Sequence, residues 1–219
     1  MHSLYTRRME HLWTPWRYSY ITGEKALGRD GETPEHRKGV PAELRAWPGD
    51  MNCVFCNLLA STDYAIAQGM PVEAAEGAAL LVCRGERVFV CLNRFPYNSG
   101  HVMVVPYAHG ASLAGLPRET AAELMEWGQC AEVALGATYH PDGYNLGLNL
   151  GAAAGAGVAG HLHLHAVPRW IGDTSFLTSL GETRTLPEAL SVTWSRLREA
   201  FATARNGEHP TAGEQENFR

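Results

Sequence analysis

His161-Leu162-His163-Leu164-His165-Ala166-Val167-Pro168-Arg169 alternates imidazole and apolar side chains through its first half. An extended chain turns successive side chains to opposite faces. The pattern therefore predicts a strand from His161 to Val167 with the three histidines on one face and Leu162, Leu164 and Ala166 on the other. A rise of about 3.3 Å per residue would set neighbouring imidazoles about 6–7 Å apart. Such a row serves either as a metal site, since His-x-His on a strand chelates zinc, or as a nucleophile flanked by helpers. A neutral His163 can attack a phosphorus through one ring nitrogen if its other nitrogen donates to a carbonyl. His165 and His101 would then donate toward the developing negative charge. Just upstream, the run from Gly151 to Gly160 consists of Gly, Ala and one Val. Small residues let backbone N–H groups approach an anion closely, so Gly155 and Gly157 are candidate amide donors to phosphate.

Further out, Leu80 to Cys83 and Arg87 to Asn93 read as two strands joined at Arg84-Gly85-Glu86. His101 to Pro106 follows a Pro/Asn/Gly turn as a third strand, and Tyr144 to Leu150 makes another. The best helix runs from Pro117 to about Thr138, with Pro in its first turn and apolar residues at Ala122, Met125, Ala131 and Leu135. Cys53 to Ala60 reads as a short helix, and Pro187 opens a C-terminal helix to about Arg205. The fold class is α+β, a mainly antiparallel sheet with a long helix and a C-terminal helix, helices to one side. Trp127 and Trp194 lie in helical patterns as core or dimer contacts, and Cys83, Cys91 and Cys130 as core residues.

The domain of residues 52–205 is preceded by residues 1–51, an aromatic arm at 11–21 and an exposed connector at 22–50 rich in Gly, Pro and charge. The arm (Trp13, Trp16, Tyr18, Tyr20) fits packing on the surface in preference to stacking on a base. Residues 206–219 form a polar tail. The 219 residues are 45% hydrophobic and 19% charged, which suits a globular protein. A formal net charge of −5 gives no general attraction to nucleic acid, so none is expected as a partner. No apolar run approaches the ~20 residues that span a bilayer, and Arg7 and Arg8 lack the apolar core of a secretion signal. Five cysteines, an odd number, argue against a secreted disulfide framework. The expected location is cytoplasmic. Cys53-Val54-Phe55-Cys56 is either a redox pair or half of a metal site.

The triad stretch resembles the His-φ-His-φ-His-φ-φ signature of the histidine triad (HIT) superfamily. Leu92-Asn93-Arg94-Phe95-Pro96-Tyr97-Asn98-Ser99-Gly100-His101 and the strand after it resemble the family's second segment, and Asn145 to Gly151 its third. The aromatic arm, Pro168-Arg169-Trp170 and Gly172-Asp173-Thr174-Ser175-Phe176 resemble the branch of dinucleoside polyphosphate hydrolases and phosphorylases. The resemblance implies an enzyme on a nucleotide substrate, diadenosine tetraphosphate first among them, with His163 forming a nucleotidyl-histidine. It implies that Asn93 holds a ribose hydroxyl and that His101, Asn149 and His165 line the phosphate path. Uridylyltransferase relatives carry Gln where His165 stands, which disfavours that branch. Several relatives carry Gln or Ser where Ala156-Gly157 stand, so this chain keeps backbone contacts to phosphate but lacks one side-chain contact. The resemblance also implies a structural zinc held by Cys53, Cys56, His109 and His161, and a homodimer. Two alternatives stay open: a hydrolase of nucleoside phosphoramidates or adenylated amines, and a non-catalytic zinc-stabilised nucleotide-binding protein. Arg169 is read equally as a phosphate ligand or a carboxylate's partner, Trp170 as packing before base stacking, and Asp173 as a turn or cap residue.

Overall fold

The computed structural model describes residues 38–173 and 188–206. The aromatic arm, residues 22–37 of the connector, Thr174 to Phe176, Pro187 and the tail from 207 lie outside the described residues. Five strands form one antiparallel sheet: β1 (Leu81–Arg84), β2 (Val88–Leu92), β3 (Val102–Pro106), β4 (Gly143–Leu148) and β5 (Leu164–Arg169), in the order β1-β2-β3-β5-β4. Among the described residues four α-helices accompany it: α1 (Val54–Ala67), α2 (Val72–Ala79), α3 (Arg118–Tyr139) and α4 (Leu190–Arg205). The chain is thus α+β, as the sequence predicts.

Every residue of β2 and β3 is buried, and this decides the layering. Val88, Val90, Leu92, Val102 and Val104 pack on one face against Leu124, Trp127 and Ala131 of α3 and Leu197 and Phe201 of α4. Phe89, Cys91, Met103 and Val105 pack on the other face against Phe55 and Leu58 of α1 and Ala75 and Ala79 of α2. A strand apolar on both faces needs two covers. The helices therefore lie on both sides of the sheet, not on one, and α2 is an element the sequence reading lacks.

Trp127 and Trp194 are both core residues, and Trp194 Nε1 donates to Leu81 O at 2.8 Å. Along α3 the buried positions are Thr120, Leu124, Trp127, Gly128, Ala131, Ala134 and Leu135. Met125 and Ala122 are exposed, against expectation, because one residue of offset rotates a helical side chain by about 100°. The first helix runs on to Ala67 instead of stopping at Ala60. Residues 38–50, read as exposed connector, touch the domain. Leu44 is buried in the second core cluster, and Asn57 Nδ2 donates to Lys38 O and Asp50 Oδ1.

The triad strand begins at Leu164, not His161. In the register of β3 on β5, Met103 faces His165 and Val104 faces Leu164; two residues further along, Pro106 would face Leu162. Proline has no N–H to give the ladder, so pairing ends, and Leu162 N donates instead to Gly110 O at 2.6 Å. The alternation of faces nevertheless survives. Leu162, Leu164 and Ala166 enter the α3/α4 core, while His165 shares the opposite face with its partner Met103.

Gly100 turns the chain into β3 at φ +81°, and a Cβ there would lie 2.9 Å from Tyr139 Cε2 and 3.0 Å from Leu135 Cδ2. Both the backbone and the space demand glycine. Gly100→Ala is expected to lower stability by about 1–3 kcal/mol in urea unfolding. An unchanged midpoint would contradict this packing.

Candidate active site and metal centre

Obligate donors and acceptors around the histidines fix which ring nitrogen carries each proton. The carbonyl of His161 can only accept, so the 2.8 Å contact places a proton on His163 Nδ1 and a lone pair on Nε2, for which no partner is found among the described residues. This is the tautomer that a nitrogen nucleophile needs. On the other side, the N–H of Tyr97 can only donate, and it meets His101 Nδ1 at 3.1 Å. His101 therefore carries its proton on Nε2 and gives it to His165 Nδ1 at 2.9 Å. His165 is left as an Nε2–H donor.

The rings are closer than extended spacing predicts. His163 and His165 lie 4.7 Å apart between centroids at 75°, and His101 and His165 lie 5.1 Å apart. The difference arises because rotation about χ1 and χ2 swings edge-to-face rings together, whereas the rise per residue fixes only Cα positions. Phe55 packs on His163 at 5.1 Å and on His161 at 5.4 Å. Burial lowers the pKa of His163, and its bond to the His161 carbonyl opposes this only in part. Burial, with the neighbouring His163, pushes His165 down to about 4. Both rings are therefore neutral at neutral pH.

The other predicted residues are placed as follows. His101 is 1% exposed with both nitrogens engaged, Nδ1 by the Tyr97 amide and Nε2 by His165. The Oδ1 of Asn93 accepts from Phe95 N at 2.9 Å, and its Nδ2 lies 3.4 Å from His101 Nδ1. Its side chain thus shapes the turn ahead of His101. Asn149 is half-buried just beyond β4. In the glycine–alanine loop, residues Ala152–Ala154 make a 3-10 turn closed by Gly155 at φ +85°. The amides of Ala154, Gly155 and Ala156 bond back to Gly151 and Ala152 carbonyls, so that of Gly155 is taken. No hydrogen-bond partner for the Gly157 amide is found among the described residues. Arg169 pairs with Asp173 through Nε–Oδ2 at 2.6 Å and Nη2–Oδ1 at 2.7 Å, which settles its two readings in favour of the carboxylate. Trp170 meets Tyr139 edge-on at 6.5 Å. Sequence reasoning assigned no role to Phe55, Tyr97 or Asn98. Phe55 lies inside the Cys53–Cys56 motif and the other two inside the Asn93–His101 segment, so position was the only signal available.

Cys53, at the N-cap of α1, and Cys56, in its first turn, face His161 and His109. One ligand atom from each residue lies within 4.8 Å of all the others, and the cluster could hold a metal ion. His161 Nε2 donates to Pro106 O at 2.9 Å, which leaves Nδ1 toward Cys53 Sγ at 3.3 Å and Cys56 Sγ at 3.6 Å. A second-sphere carbonyl of this kind is the usual device for orienting an imidazole ligand. The redox reading fits less well: burial and Cys53 push the Cys56 thiol up to about 11, where a redox thiol needs a lowered value. Cys91 is buried, and Cys83 and Cys130 are half-buried against the core.

Residues 74–170 match the HIT domain family. The AP-4-A phosphorylase of Mycobacterium tuberculosis (strain H37Rv) is 34% identical over 195 residues, covering 89% of this chain and 86% of that protein. A zinc-bound histidine triad family protein from Mycobacterium smegmatis matches with a TM-score of 0.53 at 31% identity, covering 73% of this chain and all of the other. A hypothetical histidine triad nucleotide-binding protein from Sulfolobus tokodaii shares the fold, with a TM-score of 0.51 at 24% identity over 70% of this chain and 94% of its own. Among the described residues, no helix is long and apolar enough to cross a membrane.

The depressed value of His165 has a sign that can be tested. An unfolded histidine titrates near 6.5, so as pH falls the unfolded chain takes up the proton first. The contribution of His165 to stability is complete above about pH 6.5 and is lost progressively down to about pH 4. His165→Gln is expected to flatten the fall of the urea midpoint over that window. An identical fall in the variant would contradict the assignment.

Proposed function

The chain belongs to the HIT family, and from that membership we propose that it cleaves dinucleoside polyphosphates, diadenosine tetraphosphate first among them, by phosphorolysis through a nucleotidyl-histidine at His163. The observation that carries the reading is the tautomer of His163: Nδ1–H held by the His161 carbonyl, the lone pair on Nε2, the ring neutral. The relationship to the M. tuberculosis AP-4-A phosphorylase supports the substrate class and favours phosphate over water as the second nucleophile.

In the first step His163 Nε2 attacks the α-phosphorus, an N–P bond forms, and the bridging P–O bond breaks. The bridging oxygen leaves with its electron pair as the terminal phosphate oxygen of ATP, a weakly basic group that needs little protonation. The imidazole becomes positively charged, and the His161 carbonyl stabilises it through Nδ1–H. His165 Nε2–H, held by His101, donates to a non-bridging oxygen as charge gathers there. The Gly157 amide is a second donor on offer. In the second step an oxygen of inorganic phosphate attacks, the N–P bond breaks, its electron pair returns to Nε2, and ADP departs.

Cys53, Cys56, His109 and His161 are proposed to hold zinc. A tetrahedral Zn²⁺ with two sulfur and two nitrogen ligands has S–N edges of about 3.6 Å, and three of the four S–N separations within the cluster are 3.3, 3.5 and 3.6 Å. Such an ion ties α1 to the loops around His109 and His161 and supplies folding energy, not reaction chemistry. The homodimer is proposed on the family resemblance; β4 leaves a sheet edge and Leu146 exposed on it.

Incubation with diadenosine tetraphosphate is expected to yield ADP and ATP only when phosphate is present. AMP and ATP in water alone would point to a hydrolase, and release of amine from adenylated lysine without tetraphosphate turnover to the phosphoramidate reading. His163→Ala is expected to remove essentially all turnover, on the order of 10⁴-fold or more; retained turnover would exclude the covalent route. Metal analysis is expected to find one zinc per chain, with Cys53→Ala losing it, and a stoichiometry far below one would remove the proposed site.

A further inference from the structure

Asp173 follows the triad strand, and its contacts lead back to the row of imidazoles. Its carboxylate, 11% exposed, accepts from Arg169 through both oxygens and from Trp170 N at 3.2 Å. Arg169 is in turn held by Asn145 Oδ1 on β4 at 2.6 Å. The carboxylate is thus pinned to the ends of two strands. From there it accepts Asn98 Nδ2 at 2.8 Å, and the same nitrogen reaches Pro168 O at 3.1 Å. Asn98 sits in the turn between β2 and β3, and its own carbonyl accepts His101 N at 3.2 Å. The preceding residue, Tyr97, supplies the N–H that sets the His101 tautomer.

We propose that Asp173 and Asn98 form a clamp that positions the His101–His165 pair, so that Asp173 is a positioning residue for the donor opposite His163. The clamp works by geometry. A free Pro/Asn/Ser/Gly turn samples many backbone states, and rotation of the Pro96–Tyr97 peptide, which carries the Tyr97 N–H, would withdraw that donor from His101 Nδ1. Without that donor the longer contact from Asn93 Nδ2, at 3.4 Å, specifies the His101 proton less strictly, and His165 can then turn its lone pair, not its N–H, toward the ligand. Two bonds from one amide nitrogen, to Pro168 O and to Asp173, hold Asn98, and through it the neighbouring Tyr97, in the state that specifies the donor. The consequence for turnover rests on the reading of His165 as a phosphate donor; the consequence for the tautomers does not.

The test compares Asp173→Ala, Asn98→Ala and the double variant by imidazole ¹⁵N NMR without substrate, then by kinetics with diadenosine tetraphosphate and phosphate. The native chain is expected to show single Nε2–H tautomers at His101 and His165, and each variant a mixture. The double variant should be no worse than either single one, the mark of two groups acting through one bond. Turnover is expected to fall roughly 10-fold or more with KM changed less than about 2-fold. Native tautomers in either folded variant would overturn the proposal. So would loss of the fold in both, since the pair would then support the domain and not a ring. A tautomer change in a protein that never cleaves the tetraphosphate, native chain included, would leave the clamp standing and remove the proposed phosphorolysis.

Discussion

His161 meets two neighbours through different atoms: its ring nitrogen Nδ1 faces the thiols of Cys53 and Cys56, and its main-chain carbonyl accepts the proton of His163 Nδ1. The second contact is the one on which the rest depends. An imidazole has two nitrogens and one proton when neutral, and only an acceptor that cannot donate decides between them. The carbonyl is presented there because the β3–β5 ladder stops at Pro106, which frees residues 161–163 from sheet pairing while leaving them beside it. Had the strand begun at His161, as alternation alone suggests, that carbonyl would have been open to recruitment by the ladder.

The sheet makes such a site tolerable. Both of its faces are covered, so the histidines lie in low-dielectric surroundings where a charged imidazole is disfavoured, and burial is the main cause of the lowered values at His161, His163 and His165. Neutral rings are what the chemistry of a nitrogen nucleophile and its donor needs. The cost is that each buried nitrogen must find a partner. Pro106 O, the Tyr97 amide and the His161 carbonyl meet that need with backbone groups, whose positions are fixed by the fold and not by side-chain rotamers.

Much of this was legible in the sequence, but unevenly. Alternation placed Leu162, Leu164 and Ala166 on one face and the histidines on the other, and the structure agrees, because packing on a strand-like segment follows period two even where the ladder has stopped. The hairpin of β1 and β2 and the long helix α3 were also readable from turn residues and periodicity. What sequence could not carry was anything decided by a single hydrogen bond across long chain separations. Asn98 to Asp173 and His101 to His165 are such pairs. The family resemblance implies ligand contacts for Asn93 and His101, whereas the described contacts of both are internal. Helix α2 was missed because Val72 to Ala79 offers only a short, weakly patterned window with a glycine inside it.

The central claim is that cleavage runs through a covalent bond to His163, and the stereochemical course at phosphorus tests it most directly. A substrate made chiral at its α-phosphorus with sulfur and an oxygen isotope would undergo two in-line displacements if His163 intervenes, one by the histidine and one by phosphate. The account predicts retention of configuration in the nucleoside diphosphate product. Inversion would mean a single direct attack, and would contradict a nucleotidyl-histidine however well the imidazoles are arranged.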